Sequence, residues 1–361
     1  MKITVVAGGV GGARFLLGVK AFLGWDPVGP APSDADDEIT AIVNTADDIR
    51  LHNLHVSPDL DSCLYATAGI ADAERGWGRA DETWTVSAEL KDYGAEAPWF
   101  ALGDKDIATH LMRTRMLDAG FPLSAVTEAL CAHWKPGVRL LPMTDDRVET
   151  HVVVADPDHV ASAVGGGDEY DDVPGDGPSL DPRTVIGSAD EPPLVAIHFQ
   201  EWWIKHQAAL QPLAITPIGA DLASPAPGVV DAIETADVIL IAPSNPVVSV
   251  GTVLAVGGIR EALGAARAPV VGVSPIIAGH PVRGHADACL RAIGVDCSAQ
   301  GVATHYGART AGGLLDAFLI ADGDEAAVEG MRIGHAPLMM RDPQATARMV
   351  AAALDLVDVR R

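Results

Sequence analysis

The chain is short of positive charge, of aromatic rings and of cysteine, and it has no long apolar run. Lysine and arginine number 25 against 49 aspartates and glutamates, a formal net charge of -24. Such a surface repels phosphate backbones and anionic headgroups, so nucleic acid and acidic membranes are poor partners. The four cysteines, Cys63, Cys131, Cys289 and Cys297, are scattered and form no Cys-x-x-Cys pair. That pattern argues against a disulfide scaffold and a zinc site, and for reduced, mostly buried thiols. No segment reaches the ~18 apolar residues of a membrane span, and Met1-Lys2 leads straight into a short strand rather than a signal peptide. The expected location is the cytoplasm.

What is present suits a large core. The chain has 361 residues, of which 48% are hydrophobic, enough for one large domain or one domain plus a smaller one. Charged residues are 20%, so global disorder is not expected. The acid is unevenly placed. Asp26 to Glu38 holds five acidic residues, and Asp156 to Glu191 holds ten with one arginine. Both stretches are rich in Pro and Gly and read as solvated loops rather than sites.

Ile3 to Ala7 reads as a buried strand, Ala13 to Leu23 as a helix and Ile39 to Asn44 as a second buried strand. Leu60 to Trp134 looks mainly helical, Val138 to Met143 and His151 to Ala155 return to strand, and the acidic loop follows. Val195 to Phe199 is a strand, Glu201 to Leu210 and Val229 to Thr235 are helical, and Val238 to Ala242 is the cleanest buried strand. A helix over Ser249 to Ala265, a strand over Pro269 to Val273 and a closing helix over about 342–359 complete the pattern. The expectation is a Rossmann-like, doubly wound α/β fold with a mainly parallel sheet and a helical insertion. It is read as a single domain over 1–361, with a helical block over about 60–135 and a flexible acidic loop over about 156–192.

In such sheets ligands bind outside the carboxyl ends of the strands. Four strand ends are unusual. Gly8-Gly9-Val10-Gly11-Gly12 opens a helix and lets backbone amides approach a phosphate. It is neither a Walker motif nor a strict GxGxxG, because Arg14 stands where the last Gly belongs. A tight turn that binds nothing is the plain alternative. Asn44-Thr45-Ala46-Asp47-Asp48 puts adjacent carboxylates at a strand end, as metal ligand, base or helix cap. In Ser57-Pro58-Asp59-Leu60-Asp61, Asp59 is a capping candidate, and Asp61 falls in the first helical turn, toward the same cleft as Asp48. An Asp pair from two loops suits Mg²⁺ bridging phosphates, and double capping is the alternative. His52 and His55, between these motifs, read as solvated or structural. Ala242-Pro243-Ser244-Asn245-Pro246 and the end of the next strand at Ser274 offer polar groups for a nucleotide base or ribose, or plain turns.

Leu102-Gly103-Asp104-Lys105-Asp106 opens a helix, with Asp104 first a cap. Met143 to Asp146 is a further acidic strand end. His198 to Trp203 sets aromatics beside polar groups, for stacking on a planar ring or for core packing.

Taken together and in this order, Gly8 to Arg14, Asn44 to Asp48, Ser57 to Asp61, Leu102 to Asp106, Met143 to Asp146, His198 to Trp203 and Ala242 to Pro246 resemble the 2-phospho-L-lactate transferase family of coenzyme F-420 biosynthesis. The resemblance runs from about residue 1 to 357 and is to the actinobacterial branch, in which the transferred group is phosphoenolpyruvyl rather than phospholactyl. It implies attack by the deazaflavin alcohol Fo on guanosine-diphosphate-activated enolpyruvate or lactate, with release of GMP and formation of dehydro-coenzyme F-420-0 or coenzyme F-420-0. It implies Mg²⁺ as cofactor and a homodimer. On this reading Asp48 and Asp61 bind the metal or one of them accepts the Fo proton. Gly8, Gly9, Gly11, Gly12, Arg14, Ser244, Asn245 and Ser274 hold the nucleotide and its phosphates. Asn44, Thr45, Asp59, Trp84, Gly103 and Asp104 face Fo. Ala46 stands where the family has Gly, so an ordinary turn is expected there. Rival readings are a nucleotide-sugar-binding regulatory protein of a related fold and an NAD-dependent dehydrogenase. The latter requires a strict GxGxxG and an acid closing the second strand, where this chain has Asn44.

Overall fold

A computed structural model describes residues 1–95, 97–157 and 192–360 of the chain. Along the chain the elements are β1 (Lys2–Ala7), α1 (Gly9–Phe22), β2 (Glu38–Val43), β3 (Ile49–Leu51), β4 (Leu54–Val56), α2 (Pro58–Ala68), α3 (Thr85–Asp92), α4 (Asp104–Asp118), α5 (Leu123–Trp134), β5 (Arg139–Pro142), β6 (Glu149–Ala155), β7 (Leu194–His198) and β8 (Ala214–Ile218). There follow α6 (Val229–Glu234), β9 (Val238–Ile241), α7 (Val250–Ala255), α8 (Ile259–Ala265), β10 (Val270–Val273), β11 (Ile276–Ile277), β12 (His280–Pro281), α9 (Ala286–Ala292), α10 (Ala299–Tyr306), β13 (Ala317–Ala321), β14 (Arg332–Ala336) and α11 (Pro343–Asp355).

Seven of these strands form one sheet in the order β14-β13-β10-β9-β1-β2-β5, parallel throughout. Both faces are covered, which is why β1, β9 and β10 are apolar without alternation. Val6 faces the core shared with α6, α7, α8 and α10, while Val5 and Ala7 face the one shared with α1, α2 and α11. Full burial of a valine such as Val5 or Val6 stabilises the fold by roughly 1.5–3 kcal/mol. Helix α1 crosses α11 closely. A Cβ at Gly18 would stand 2.2 Å from Thr346 Cγ2, so only glycine fits that crossing.

The expected α/β fold with a helical insertion is therefore present, the insertion being α2 to α5 between β2 and β5. The details differ in several places. The stretch read as one helix over 249–265 is two, α7 and α8, separated at Gly257-Gly258, where Gly258 takes φ +91°. The segment 201–210 forms one π-helical turn, Glu201–Lys205. A separate antiparallel sheet, β7-β6-β8, stands beside the main one. Most of the acidic segment expected as a loop, residues 158–191, lies outside the described residues. All four cysteines are free thiols, as the spacing implied. Among the described residues no helix is long and apolar enough to cross a membrane.

Candidate active site

β1 pairs with β2 on one side and β9 on the other, so the connections after β1 and β9 leave in opposite directions. The crevice between them is the topological switch point at which open α/β sheets bind ligands. Two of the unusual strand ends meet there. Gly8 caps α1 in extended conformation and Gly9 takes φ +58°, a left-handed backbone that favours glycine. Ser244, just after β9, clasps this turn: its Oγ donates to the Gly8 carbonyl at 2.8 Å and accepts from the Gly8 amide at 3.2 Å. A Cβ on Gly8 would lie 2.6 Å from Ser249 Cβ and 2.8 Å from Asp59 Oδ2, so the turn is closely packed on both sides.

The acidic strand end after β2 is buried. Asn44, Asp47 and Asp48 are all under 9% exposed. Asn44 holds the segment from within, accepting at Oδ1 from the Ala46 amide (2.9 Å) and the Thr252 hydroxyl (2.8 Å) and donating from Nδ2 to Asp59 Oδ2 (3.0 Å). Ala46 has no positive φ and is fully buried, so the turn is the ordinary one expected. The β6–β7 sheet braces the outer side. The Thr150 amide donates to the Ala46 carbonyl (2.7 Å) and Gln200 Nε2 to the Asp47 carbonyl (3.3 Å). His198 Nε2 lies 3.1 Å from the Asp48 carbonyl, and since His198 Nδ1 accepts from the Gln200 amide, the hydrogen-bond network assigns the ring proton to Nε2.

The third strand end does not form as a separate loop. β3 and β4 make a hairpin whose two turn residues, His52 (φ 50°) and Asn53 (φ 65°), are both left-handed, as a tight type I′ turn requires. His52 is thus a turn residue. The hairpin returns His55 to Asp48, with Nε2 2.9 Å from Asp48 Oδ2. Ser57 is the N-cap of α2, yet its hydroxyl donates to Asp48 Oδ2 (2.7 Å) instead of capping the helix. Pro58 starts α2 and puts both Asp59 and Asp61 in its first turn.

These two carboxylates part company. Asp59 faces the glycine turn. Asp61 turns away and gives both oxygens to the Arg113 guanidinium, with His110 Nδ1 3.7 Å from Oδ2. Of the expected pair, Asp61 is thus engaged by Arg113 on both oxygens, while Asp48 stands with Asp47 and Asp59. Arg113 also donates to the His55 carbonyl (3.3 Å), so the arginine links Asp61 to the hairpin.

Electrostatics follows from this crowding. Burial raises the Asp47 carboxyl well above its ordinary value, with Asp59 and Asp48 adding repulsion. Burial also raises Asp48, against the hydrogen bonds of His55 and Ser57. Asp59 is pushed up to about 7 by burial and by Asp48, with the Asn44 bond opposing. Asp47 Oδ1 and Asp48 Oδ1 are buried with no hydrogen-bond partner among the described residues. Buried carboxylate edges of this kind call for a cation or a proton. Among the described residues no three His, Cys, Asp or Glu side chains form a complete metal cage. Mg²⁺ needs none: it commonly takes one or two carboxylates and completes its shell with substrate phosphates and water. The donor set therefore fits a hard divalent cation.

The other expected residues are placed as follows. Asn245 Oδ1 accepts from the Val247 (2.9 Å) and Val248 (3.3 Å) amides, and Ser274 Oγ bonds locally to Ile276. Both shape turns at neighbouring strand ends. Thr45 is buried beside Asn44, while Gly11 packs on the Pro243 carbonyl and Gly12 on Ala7 and Ser244. Gly103 and Asp104 build a junction between helices: Asp104 accepts from Thr83 Oγ1 (2.6 Å) and the Val86 amide (3.0 Å) at the start of α3. Glu82, which touches Gly103, accepts from the Lys105 (2.9 Å) and Asp106 (2.8 Å) amides at the start of α4. Lys105 Nζ bonds the Ala80 carbonyl (2.8 Å). Trp84 stands at the N-cap of α3, 6.2 Å from Trp77, and Arg75 lies over both rings. In the aromatic doublet Trp202 is core, with Nε1 on the Leu210 carbonyl (2.8 Å), and Trp203 packs beside His285.

Sequence reasoning missed Arg113 and His110. Helix α4 is inverted: its buried residues are Asp106, Thr109, His110, Arg113 and Thr114, while Leu111 and Met112 are half exposed. A polar stripe at spacing 106, 109/110, 113/114 was the available signal, one that ordinary amphipathicity assigns to solvent.

Comparison with known proteins shows the family. The profile of the family described as 2-phospho-L-lactate transferase CofD matches residues 3–354. Proteins named phosphoenolpyruvate transferase from Mycobacterium tuberculosis (strain H37Rv) and Mycobacterium bovis (strain AF2122/97) are each 50% identical over 361 residues, covering 99% of both chains. The protein of the same name from Mycobacterium marinum is 49% identical over 359 residues, again covering 99% of each. Among solved structures, a Bacillus halodurans protein described as a member of the upf0052 family aligns at TM-score 0.54 with 16% identity, over 98% of this chain and 100% of the other, a likeness of fold.

Proposed function

Since the chain belongs to the 2-phospho-L-lactate transferase family and is a phosphoenolpyruvate/2-phospho-L-lactate transferase of coenzyme F-420 biosynthesis, we propose that it moves a phosphoenolpyruvyl group from its guanosine-diphosphate-activated form to the deazaflavin alcohol Fo. The relatives' shared name favours enolpyruvyl over lactyl as the transferred acid. The observation that carries the reading is the buried trio Asp47, Asp48 and Asp59 beside the glycine turn, two of them with unpartnered oxygens.

In the reaction the terminal ribityl oxygen of Fo attacks the phosphorus that bears the three-carbon acid. A P–O bond to Fo forms, the P–O bond to the second phosphate breaks, and GMP leaves with the bonding electrons. The hydroxyl proton passes to a carboxylate. Transfers of this kind depend on positioning and charge neutralisation more than on covalent help. The glycine turn and the N-terminus of α1 offer backbone amides to the diphosphate. When bound, Mg²⁺ supplies charge neutralisation to the phosphoryl oxygens. Asp47 and Asp48 would hold it through the oxygens left unpaired. Asp59, held over the turn by Asn44, would accept the Fo proton. Asp61 and Arg113 position the hairpin that carries His55 to Asp48. Ser244 keeps the glycine turn in shape, with Asn245 and Ser274 framing the nucleoside side. Trp84 and Trp77 offer ring faces to the deazaflavin. The active species is taken to be a cytoplasmic homodimer.

The test supplies Fo with each activated donor, with and without Mg²⁺, and resolves the products by mass. Release of GMP with a product two hydrogens lighter than coenzyme F-420-0 identifies the enolpyruvyl donor. A chain that binds the donor and releases no GMP in any combination is a sensor of nucleotides rather than a transferase.

A further inference from the structure

Arg14 and Arg283 come from opposite halves of the chain and meet at one point. A Cβ built on Gly76 would lie 2.7 Å from Arg283 Nη1 and 3.5 Å from Arg14 Nη2, so both guanidinium groups crowd the same spot. Gly76 itself takes φ +72°, a conformation in which a side chain there would be strained as well as obstructed. Arg14 lies on α1, and side chains on a helix lean toward its N-terminus, here toward the glycine turn. Arg283 follows the β11–β12 hairpin at the carboxyl end of β10. Its Nη2 also donates to the Arg75 carbonyl at 3.3 Å, on the loop that carries Trp77.

Two like charges brought together in a chain with twice as many acids as bases need a reason. Among the described residues neither arginine has a carboxylate partner, whereas Arg75 is paired with Asp72 and Arg113 with Asp61. Partial desolvation, with the charge of Arg14 added, lowers the Arg283 guanidinium below its ordinary value. An oxyanion between the two would relieve that repulsion, and paired guanidinium forks suit a planar carboxylate.

We propose that Arg14 and Arg283 together receive the carboxylate of the three-carbon acid on the donor. This rests on the transferase reading above. The reason for choosing the carboxylate over the diphosphate is charge. The diphosphate would have the glycine-turn amides and a cation that Asp47 and Asp48 would hold. The acid's carboxylate has neither, and beside three buried aspartates it is repelled unless cations face it. The arginine pair supplies them, one helical turn away from the glycines and on the side of the aromatic loop where Fo would lie.

Both arginines are exposed, so their replacement should leave the fold intact. The experiment measures, on the full chain with Mg²⁺, the Kd of GDP and the KM of the activated donor for the wild type, Arg14→Met, Arg283→Met and Arg283→Lys. The expected result is a ~10- to 100-fold rise in donor KM for each methionine variant, a smaller rise for Arg283→Lys, and a GDP affinity within about twofold of wild type. If GDP weakens as much as the donor, the pair serves the diphosphate and the assignment is overturned. An unchanged donor KM overturns it too. Failure of the transferase reading is separately visible, because the wild type would then release no GMP from any donor.

Discussion

Asn44 Nδ2 donates to Asp59 Oδ2 at 3.0 Å, and this bond ties the end of β2 to the first turn of α2 across the mouth of the glycine turn. Asn44 is fully buried, and all its described bonds serve to hold neighbours in place. Asn44→Asp preserves its shape, removes the donor and adds a fourth carboxylate. Turnover is expected to fall ~100-fold or more and stability by about 1–3 kcal/mol. Thermal denaturation and steady-state GMP release check this; a variant with wild-type values would show that the bond is incidental.

Asp48 and Asp59 are expected to fail differently. Asp48→Asn should raise the Mg²⁺ concentration for half-maximal turnover by ~10-fold or more. Asp59→Asn should lower kcat ~100-fold while the Mg²⁺ dependence of GDP binding stays as in wild type. A magnesium titration of both variants separates the roles. Identical defects would mean that both residues hold the ion.

Asp61 and Arg113 form a buried pair, so breaking it should be worse than removing it. Asp61→Asn leaves the guanidinium buried without its counter-charge and is expected to cost about 3–5 kcal/mol. Adding Arg113→Met should recover much of that stability without recovering turnover, because the hairpin that carries His55 loses its donor at the His55 carbonyl. Denaturant unfolding of the two single variants and the double variant reads the coupling.

Two neighbours on α4 contribute to acid stability with opposite signs. His110 is lowered to about 4, chiefly by burial, so its contribution is complete above the unfolded value and is lost as pH falls toward 4. Asp106 is raised to about 6, chiefly by burial with Asp61 adding repulsion, so its contribution is complete at acid pH and is lost as pH rises toward 6. Between about 4 and 6 the two slopes oppose. Asp106→Asn removes the opposing slope, so stability should fall more steeply than in wild type, by on the order of 3 kcal/mol, as pH drops from about 6 to 4. A wild-type pH profile in that variant would rule the pair out as its source.

Ser244→Ala removes both bonds to the Gly8 backbone and should weaken GDP ~10-fold through the shape of the turn. Asn245→Ala loses the cap on the Val247 amide and should weaken GDP less. Isothermal titration on the two variants gives the order; equal affinities to wild type would detach this strand end from the nucleotide.

Much of the fold was legible because fully buried parallel strands read as unbroken apolar runs, as Val5-Val6-Ala7 and Val238 to Ile241 do. The break between α7 and α8 was hidden because one glycine pair inside an apolar segment leaves the helical spacing intact. At the cleft, sequence pointed to the acidic strand ends but not to the direction of each carboxylate. Asp59 and Asp61 differ by two positions on a helix, which turns them to different faces. Arg283 carried no local signal at all. Its meeting with Arg14 is created by the order of strands in the sheet, which places the ends of β1 and β10 at the same edge of the molecule.

The brace on the acidic turn has one more consequence. β6 and β7, which carry Thr150 and His198, remain paired to their far ends, where Ala155 stands opposite Leu194 and the Asp156 amide meets the Pro193 carbonyl at 2.8 Å. The pair is thus closed at both ends, by Ala155 with Leu194 at one and His151 with His198 at the other. A strand pair fixed at two points cannot slip by a residue, and a slip would turn Thr150 and His198 to the wrong face. The acidic turn therefore takes its register from a sheet that contributes no strand to the central one.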